Sequence, residues 1–210
     1  MKKQFVIAGT DTNIGKTILS SLLMCGFDDL SYWKPVQSGL EDETDTDVVR
    51  ELSGCADDRI IGEAYRLNQP LSPHLSARLD GVTIDTSRLV VPERSPLVIE
   101  LAGGLLVPIT DDVLQIDIVK RWNLPVILAT RSSLGTINHS LLSIEAMRSR
   151  GIEIAGFVPI GEHNPENERA VERMGRIKLI GRIGRIGQID RASLEHEFQT
   201  HFTPLRTLLQ

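Results

Sequence analysis

Short apolar runs of strand length recur along the chain, with stretches of helical apolar spacing between them. Residues 5–9 (FVIAG) form the first run, and an apolar-rich helix is predicted from about residue 16 to residue 25. Residues 31–36 (SYWKPV) read as a weaker second strand. PLVIEL at 96–101, PVILAT at 125–130, IAGFV at 154–158 and KLIGRI at 178–183 complete the set. Helices are predicted over 111–122, 137–150 and 165–177. Strands this short and this continuously hydrophobic are buried on both faces, as in a parallel sheet covered by helices. The alternation predicts an α/β fold: a doubly wound, mostly parallel sheet with helices on both faces and ligands at the carboxyl ends of the strands. The acidic stretch EDETDTD at 41–47 and the turn-rich segment 68–94 read as insertions. The second is too long for an ordinary connection, so a short helix or a functional loop is expected inside it.

The chemistry concentrates after the first strand. GTDTNIGKT, residues 9–17, lies between that strand and the first helix, where a turn of backbone N–H groups and a helix N-terminus both present positive dipole ends to phosphate. Lys16 is placed to reach the β- and γ-phosphates, and the Thr17 hydroxyl to ligate Mg²⁺. Asn13, Ile14 and Gly15 complete the nucleotide side of the loop. Five residues separate Gly9 from Gly15, one more than the common spacing. The extra residue lets side chains from Thr10 to Asn13 project towards a second substrate. The fold is therefore expected to be of the P-loop NTPase type, with residues 1–210 as one domain.

Phosphoryl transfer also needs acids to hold the metal. Glu100 is expected at the carboxyl end of its strand, beside the turn at Ala102, Gly103 and Gly104. Asp47 is a candidate among the crowded acids, with Asp45 competing. Lys34, at the end of YWK, reads either as a strand-end surface lysine or as a second positive charge for the γ-phosphate, with Ser38 following it.

Hydrophobic residues make up 41% and charged residues 24%, the balance of a soluble globular chain. A net charge of -5 supplies no global field for nucleic acid or an anionic membrane. Cys25 and Cys55 show no metal-ligand or disulfide spacing, which fits a reducing compartment, and no run reaches membrane-span length. A cytoplasmic location is expected.

The blocks GTDTNIGKT, YWKPVQSG, LSPH, IELAGG, LPVILATRSSLGTINH and IAGFV, in that order, resemble the dethiobiotin synthetase family. The resemblance implies an ATP- and Mg²⁺-dependent cyclo-ligase that converts 7,8-diaminononanoate and CO₂ to dethiobiotin through a carbamate and a carbamic–phosphoric anhydride. It implies Lys16 and Lys34 as catalytic, with Thr17, Asp47 and Glu100 as Mg²⁺ ligands that also face the nucleotide, as does Gly103. It places Thr12 and Ser38 around the diamine and carbamate. Gly135, Thr136, Ile137 and Asn138 resemble the helix start that binds the distal carboxylate from the neighbouring subunit, which implies a homodimer.

The chain departs from the family pattern at several points. Asn13 stands where glutamate is usual, and Leu101 where a glycine is. Pro159, Ile160 and Gly161 replace an Asn-Asp that reads adenine, and Gly184 replaces a proline, with Arg182 and Arg185 nearby. An aromatic residue contributed by the partner subunit is not evident around residues 169–174. Weak base discrimination is expected, with other nucleoside triphosphates accepted beside ATP. Two other readings remain open: a partitioning or cofactor-maturation ATPase, and a nucleotide-binding module without catalysis.

Overall fold

The computed structural model describes residues 3–203 and 205. Six parallel strands form its main sheet in the order β4-β2-β6-β1-β7-β8. These are β1 (Gln4–Gly9), β2 (Ser31–Trp33), β4 (Ile60–Ile61), β6 (Leu97–Gly104), β7 (Val126–Arg131) and β8 (Ile154–Ile160). Side chains alternate across each strand, so β1 feeds two cores at once. Phe5 and Ile7 join one apolar cluster with Leu19, Leu23, Phe198 and Phe202. Val6 and Ala8 join the other with Ile116, Val119, Ile144 and Met147. The helices divide accordingly. The first core carries α1 (Lys16–Gly26), α2 (Asp45–Ser53) and α7 (Arg191–His201). The second carries α4 (Gln115–Trp122), α5 (Thr136–Arg148) and α6 (Pro165–Gly175).

The chain leaves β1 leftwards to β2 and later continues rightwards from β1's other neighbour, β7, so the sheet reverses direction beside β1. A crevice opens at the carboxyl ends of strands at such a reversal. Residues 9–17 sit in it.

The expected elements mostly stand, with three corrections. KLIGRI is not a strand of the sheet. It runs beside β8 through isolated bridges, Phe157 to Leu179 and Ile160 to Ile183. The N–H of Phe157 donates to Lys178 O at 2.9 Å and that of Gly161 to Ile183 O at 2.9 Å. Pro159, midway between them, has no N–H to give, and the register slips there. Second, the acidic stretch is not a plain insertion but holds the start of α2, whereas residues 68–94 hold a short helix as expected, α3 (Pro73–Leu79). α3 packs with a two-stranded parallel sheet, β3 (Val36–Ser38) and β5 (Tyr65–Leu67), around Val36, Leu67, Ala77, Ile84 and Leu89. Third, β6 does not stop at Leu101 but continues to Gly104, and Leu101 is a buried core residue. Among the described residues no helix is long and apolar enough to cross a membrane.

Candidate active site

The loop is shaped by backbone geometry before any ligand enters. Gly15 caps α1 in the left-handed region at φ 98°, and Asn13 is also left-handed at φ 55°. Asparagine tolerates that conformation better than most residues, a local reason for its presence in the lengthened loop. No side chain caps α1, so its first amides are left for an anion. Ile14 is buried in the core below and anchors the loop. Asp11 stiffens the outer half: its carboxylate accepts from the Thr12 N–H at 2.7 Å and pairs with Arg131, while its carbonyl accepts from Lys16 Nζ at 3.1 Å.

Sheet register then delivers the remaining charges. Trp33 of β2 lies opposite Ile99 of β6, so the next residue along each chain brings Lys34 beside Glu100. Lys34 is 4% exposed and Glu100 1%. Lys34 Nζ donates to Glu100 Oε1 at 3.3 Å and pairs more closely with Asp45. The Thr17 hydroxyl lies 2.5 Å from Asp45 Oδ1 and 3.0 Å from Glu100 Oε1. Thus Thr17, Lys34, Asp45 and Glu100 meet at one point, with the loop lysine alongside.

Their electrostatics follow from burial against mutual attraction. Burial lowers the Lys16 pKa below its ordinary value, more strongly than Glu100 raises it. Burial also pulls down on Lys34, but Glu100 and Asp45 together outweigh it and its pKa is raised. Desolvation pushes Asp45 up, yet Lys34 and the Thr17 hydrogen bond bring it below the usual carboxylate value. Lys34 is therefore held firmly as a cation between two anions.

Asp45, not Asp47, is the carboxylate brought to the site. Asp47 closes a capping box with Thr44: Thr44 Oγ1 donates to Asp47 Oδ2 at 2.6 Å, and Asp47 N donates to Thr44 Oγ1 at 3.2 Å. Arg50 takes its other oxygen at 2.8 Å. The sequence carries this signal, because a threonine three residues ahead of an acid marks a helix start and commits that acid to the backbone. Asp45 is the first residue of α2 and is free to turn inward.

The other expected residues divide. Gly103 takes φ 71° beside the loop, where an added Cβ would lie 3.2 Å from Thr12 Oγ1. Gln115 secures this stretch by donating to the carbonyls of Ala102 and Gly104 and accepting from Ala102 N–H. Ser38 lies on β3, and its hydroxyl is buried with no hydrogen-bond partner among the described residues. Gly135 caps α5 at φ 93° without a side-chain cap, leaving the first-turn amides of Ile137 and Asn138 beyond the reach of helical carbonyls. Thr136 is buried and spends its hydroxyl on Arg131 O at 2.5 Å. Asn138 is exposed. Between the loop and α5 runs a groove of about 290 Å³, edged by Thr10, Thr12, Leu105, Leu106, His139 and Leu142.

At the far side of the loop, Ile160 packs over Gly15, where an added Cβ would lie 3.0 Å from Ile160 Cγ2. Arg182 is engaged by the buried Glu168, and Arg185 pairs with exposed Glu162 at 3.3 Å.

Among the described residues no three His, Cys, Asp or Glu side chains stand together as a protein-only metal site. The donors at Thr17 are instead one hydroxyl and two carboxylates, all hard oxygens. That set fits Mg²⁺, which takes one or two carboxylates and completes its shell with phosphate and water.

Solved structures share this fold. A ParA family ATPase from Chlorobium tepidum superposes with a TM-score of 0.54 at 9% identity, covering 99% of this chain and 93% of that one. The MinC:MinD cell division protein complex of Aquifex aeolicus gives 0.56 at 10% identity, covering 98% and 95%. At such identities the likeness is one of fold alone, and it places the chain in the P-loop NTPase fold. Residues 3–193 match the AAA domain family model. The chain is 50% identical over 203 residues to an ATP-dependent dethiobiotin synthetase from Nitrobacter hamburgensis, covering 96% of this chain and 95% of that one. It is 55% identical over 178 residues to another from Rhodopseudomonas palustris, covering 84% and 83%. The chain belongs to the dethiobiotin synthetase family.

Proposed function

We propose that this chain is an ATP-dependent ligase of biotin biosynthesis that closes the ureido ring of dethiobiotin from 7,8-diaminononanoate and CO₂. Its single domain works as a cytoplasmic homodimer. The observation that carries the reading is the convergence of Lys16, Thr17, Lys34, Asp45 and Glu100 beside the phosphate loop.

One amine of the diamine adds to CO₂ and loses a proton, giving a carbamate. A carbamate oxygen attacks the γ-phosphorus of ATP and expels ADP, leaving a carbamic–phosphoric anhydride. The second amine attacks the anhydride carbon, phosphate departs and the ring closes. Two anions must approach in the second step, so the residues here act through charge and position. Lys34, buried and kept protonated by two carboxylates, is a fixed cation for the meeting oxygens. Lys16 reaches over the loop to the phosphates, and the amides of Gly15, Lys16 and Thr17 receive them. Thr17, Asp45 and Glu100 would hold Mg²⁺, which when bound neutralises charge on the β- and γ-oxygens. The groove accepts the aliphatic chain, with Thr12 and Ser38 near the reacting amines. Gly135, Ile137 and Asn138 of a second copy receive the distal carboxylate on a helix N-terminus.

The decisive assay is phosphate release from ATP with each co-substrate withheld in turn. Release should need both the diamine and bicarbonate, and a product of dethiobiotin mass should accumulate in step with it. Hydrolysis indifferent to the diamine would sink the reading.

A further inference from the structure

Glu100 is gripped on both of its oxygens, and nucleotide chemistry accounts for only one grip. Oε1 faces Thr17 and Lys34. Oε2 points into the protein, where Ser20 Oγ donates to it at 2.6 Å and Tyr32 Oη at 3.1 Å. Both donors are 0% exposed. They come from different elements: Ser20 lies on α1, one turn beyond Thr17, and Tyr32 lies on β2, two residues before Lys34. With both hydroxyls on Oε2, the carboxylate can neither rotate freely nor present two oxygens to the loop.

How many oxygens a carboxylate presents matters to a cation. Mg²⁺ demands near-ideal octahedral geometry with short single-oxygen contacts, whereas the larger Ca²⁺ readily takes a carboxylate through both oxygens. We propose that Tyr32 and Ser20 are positioning residues that restrict Glu100 to one-oxygen ligation and so set the site's preference for Mg²⁺ over Ca²⁺. The proposal rests on Glu100 facing the nucleotide's metal, as read above.

The test uses the whole protein with a non-hydrolysable ATP analogue and Mn²⁺, followed by electron paramagnetic resonance. Mg²⁺ and Ca²⁺ are each titrated in to displace the bound Mn²⁺, and the ratio of their half-displacing concentrations is read. In the Tyr32→Phe/Ser20→Ala double variant this ratio should move towards Ca²⁺ by about tenfold, and in each single variant by about threefold. A merely structural loss would weaken both cations alike and leave the ratio where it was. Tyr32→Phe keeps the ring in the core, and Ser20→Ala leaves α1 a good helix former, so both should fold. A ratio within twofold of the parent in the double variant would overturn the proposal. Glu100→Gln separates the two readings. Loss of the protein-bound Mn²⁺ signal is expected there, and its retention would refute the metal role of Glu100 itself.

Discussion

Two acids two residues apart in the same helix do different jobs, and the difference is a matter of which backbone each one serves. Asp47 is committed to Thr44 and Arg50, whereas Asp45 faces Thr17 and Lys34. Asp45→Ala should lower ATP-dependent turnover by about 100-fold or more, because it removes one of the two anions that fix Lys34. Asp47→Ala should change turnover less than threefold yet cost about 1 kcal/mol of stability through the lost cap. Steady-state kinetics and denaturant melts of the pair check both halves. Cys25 offers an independent probe. Its burial raises the thiol pKa to about 11. The unfolded chain would release that proton nearer pH 9 while the folded chain retains it, so the unfolded state gains between those values and stability should fall as pH rises from 9 to 11. The decline should be smaller in Cys25→Ala, as melting temperatures across that range would reveal. Spacing alone exposed Lys16, Thr17 and the loop. It could not choose Asp45 until the capping role of Asp47 was recognised, and the Tyr32 and Ser20 hydroxyls became meaningful only once β2, β6 and α1 were juxtaposed.

At the scale of elements, the long apolar strands were legible because burial on both faces leaves an unmistakable run. β3, β4 and β5 were not, since each spans only two or three residues and is stabilised by what packs on it. α7 was missed although Asp190 caps it and Leu194, Phe198 and Phe202 recur at helical spacing. Its polar composition masked a narrow buried stripe. That stripe docks on α1, where a Cβ added at Gly26 would come within 2.4 Å of the Phe198 ring. Gly26→Ala should therefore destabilise the protein by about 1–3 kcal/mol despite raising helix propensity. Gln115 links another pair of elements, tying α4 to the last residues of β6 with three hydrogen bonds. Its removal takes one hydrogen bond from each of two half-buried carbonyls and one from the Ala102 N–H, around Gly103. Gln115→Ala should cost about 2 kcal/mol and raise the KM for ATP more than it lowers kcat. A variant as stable as the parent would mean that the glycine segment holds its shape without the side chain.

The whole molecule poses two questions that no single element answers. One is the base. The Ile160 side chain has no hydrogen-bonding group, and Arg182 and Arg185 are engaged by Glu168 and Glu162, so weak base discrimination is the expected outcome, checked by comparing turnover with ATP, CTP and GTP. The other is whether a helix start of one copy completes the site of another. Leu106, Leu134 and Leu142 are exposed apolar residues around α5 and the groove, a face suited to a second copy. Yet α5 also borders the groove of its own chain through His139 and Leu142, so the carboxylate site could be supplied from within. Mixing two inactive variants decides between these arrangements. Lys16→Ala damages the loop, and a Gly135→Pro/Asn138→Ala pair damages the helix start. If the site is shared, a heterodimer of the two contains one doubly damaged site and one intact site. Random exchange at equal amounts makes half the dimers mixed, so turnover should recover to about one quarter of the parent value. If each chain completes its own site, every site in the mixture stays damaged and no activity returns.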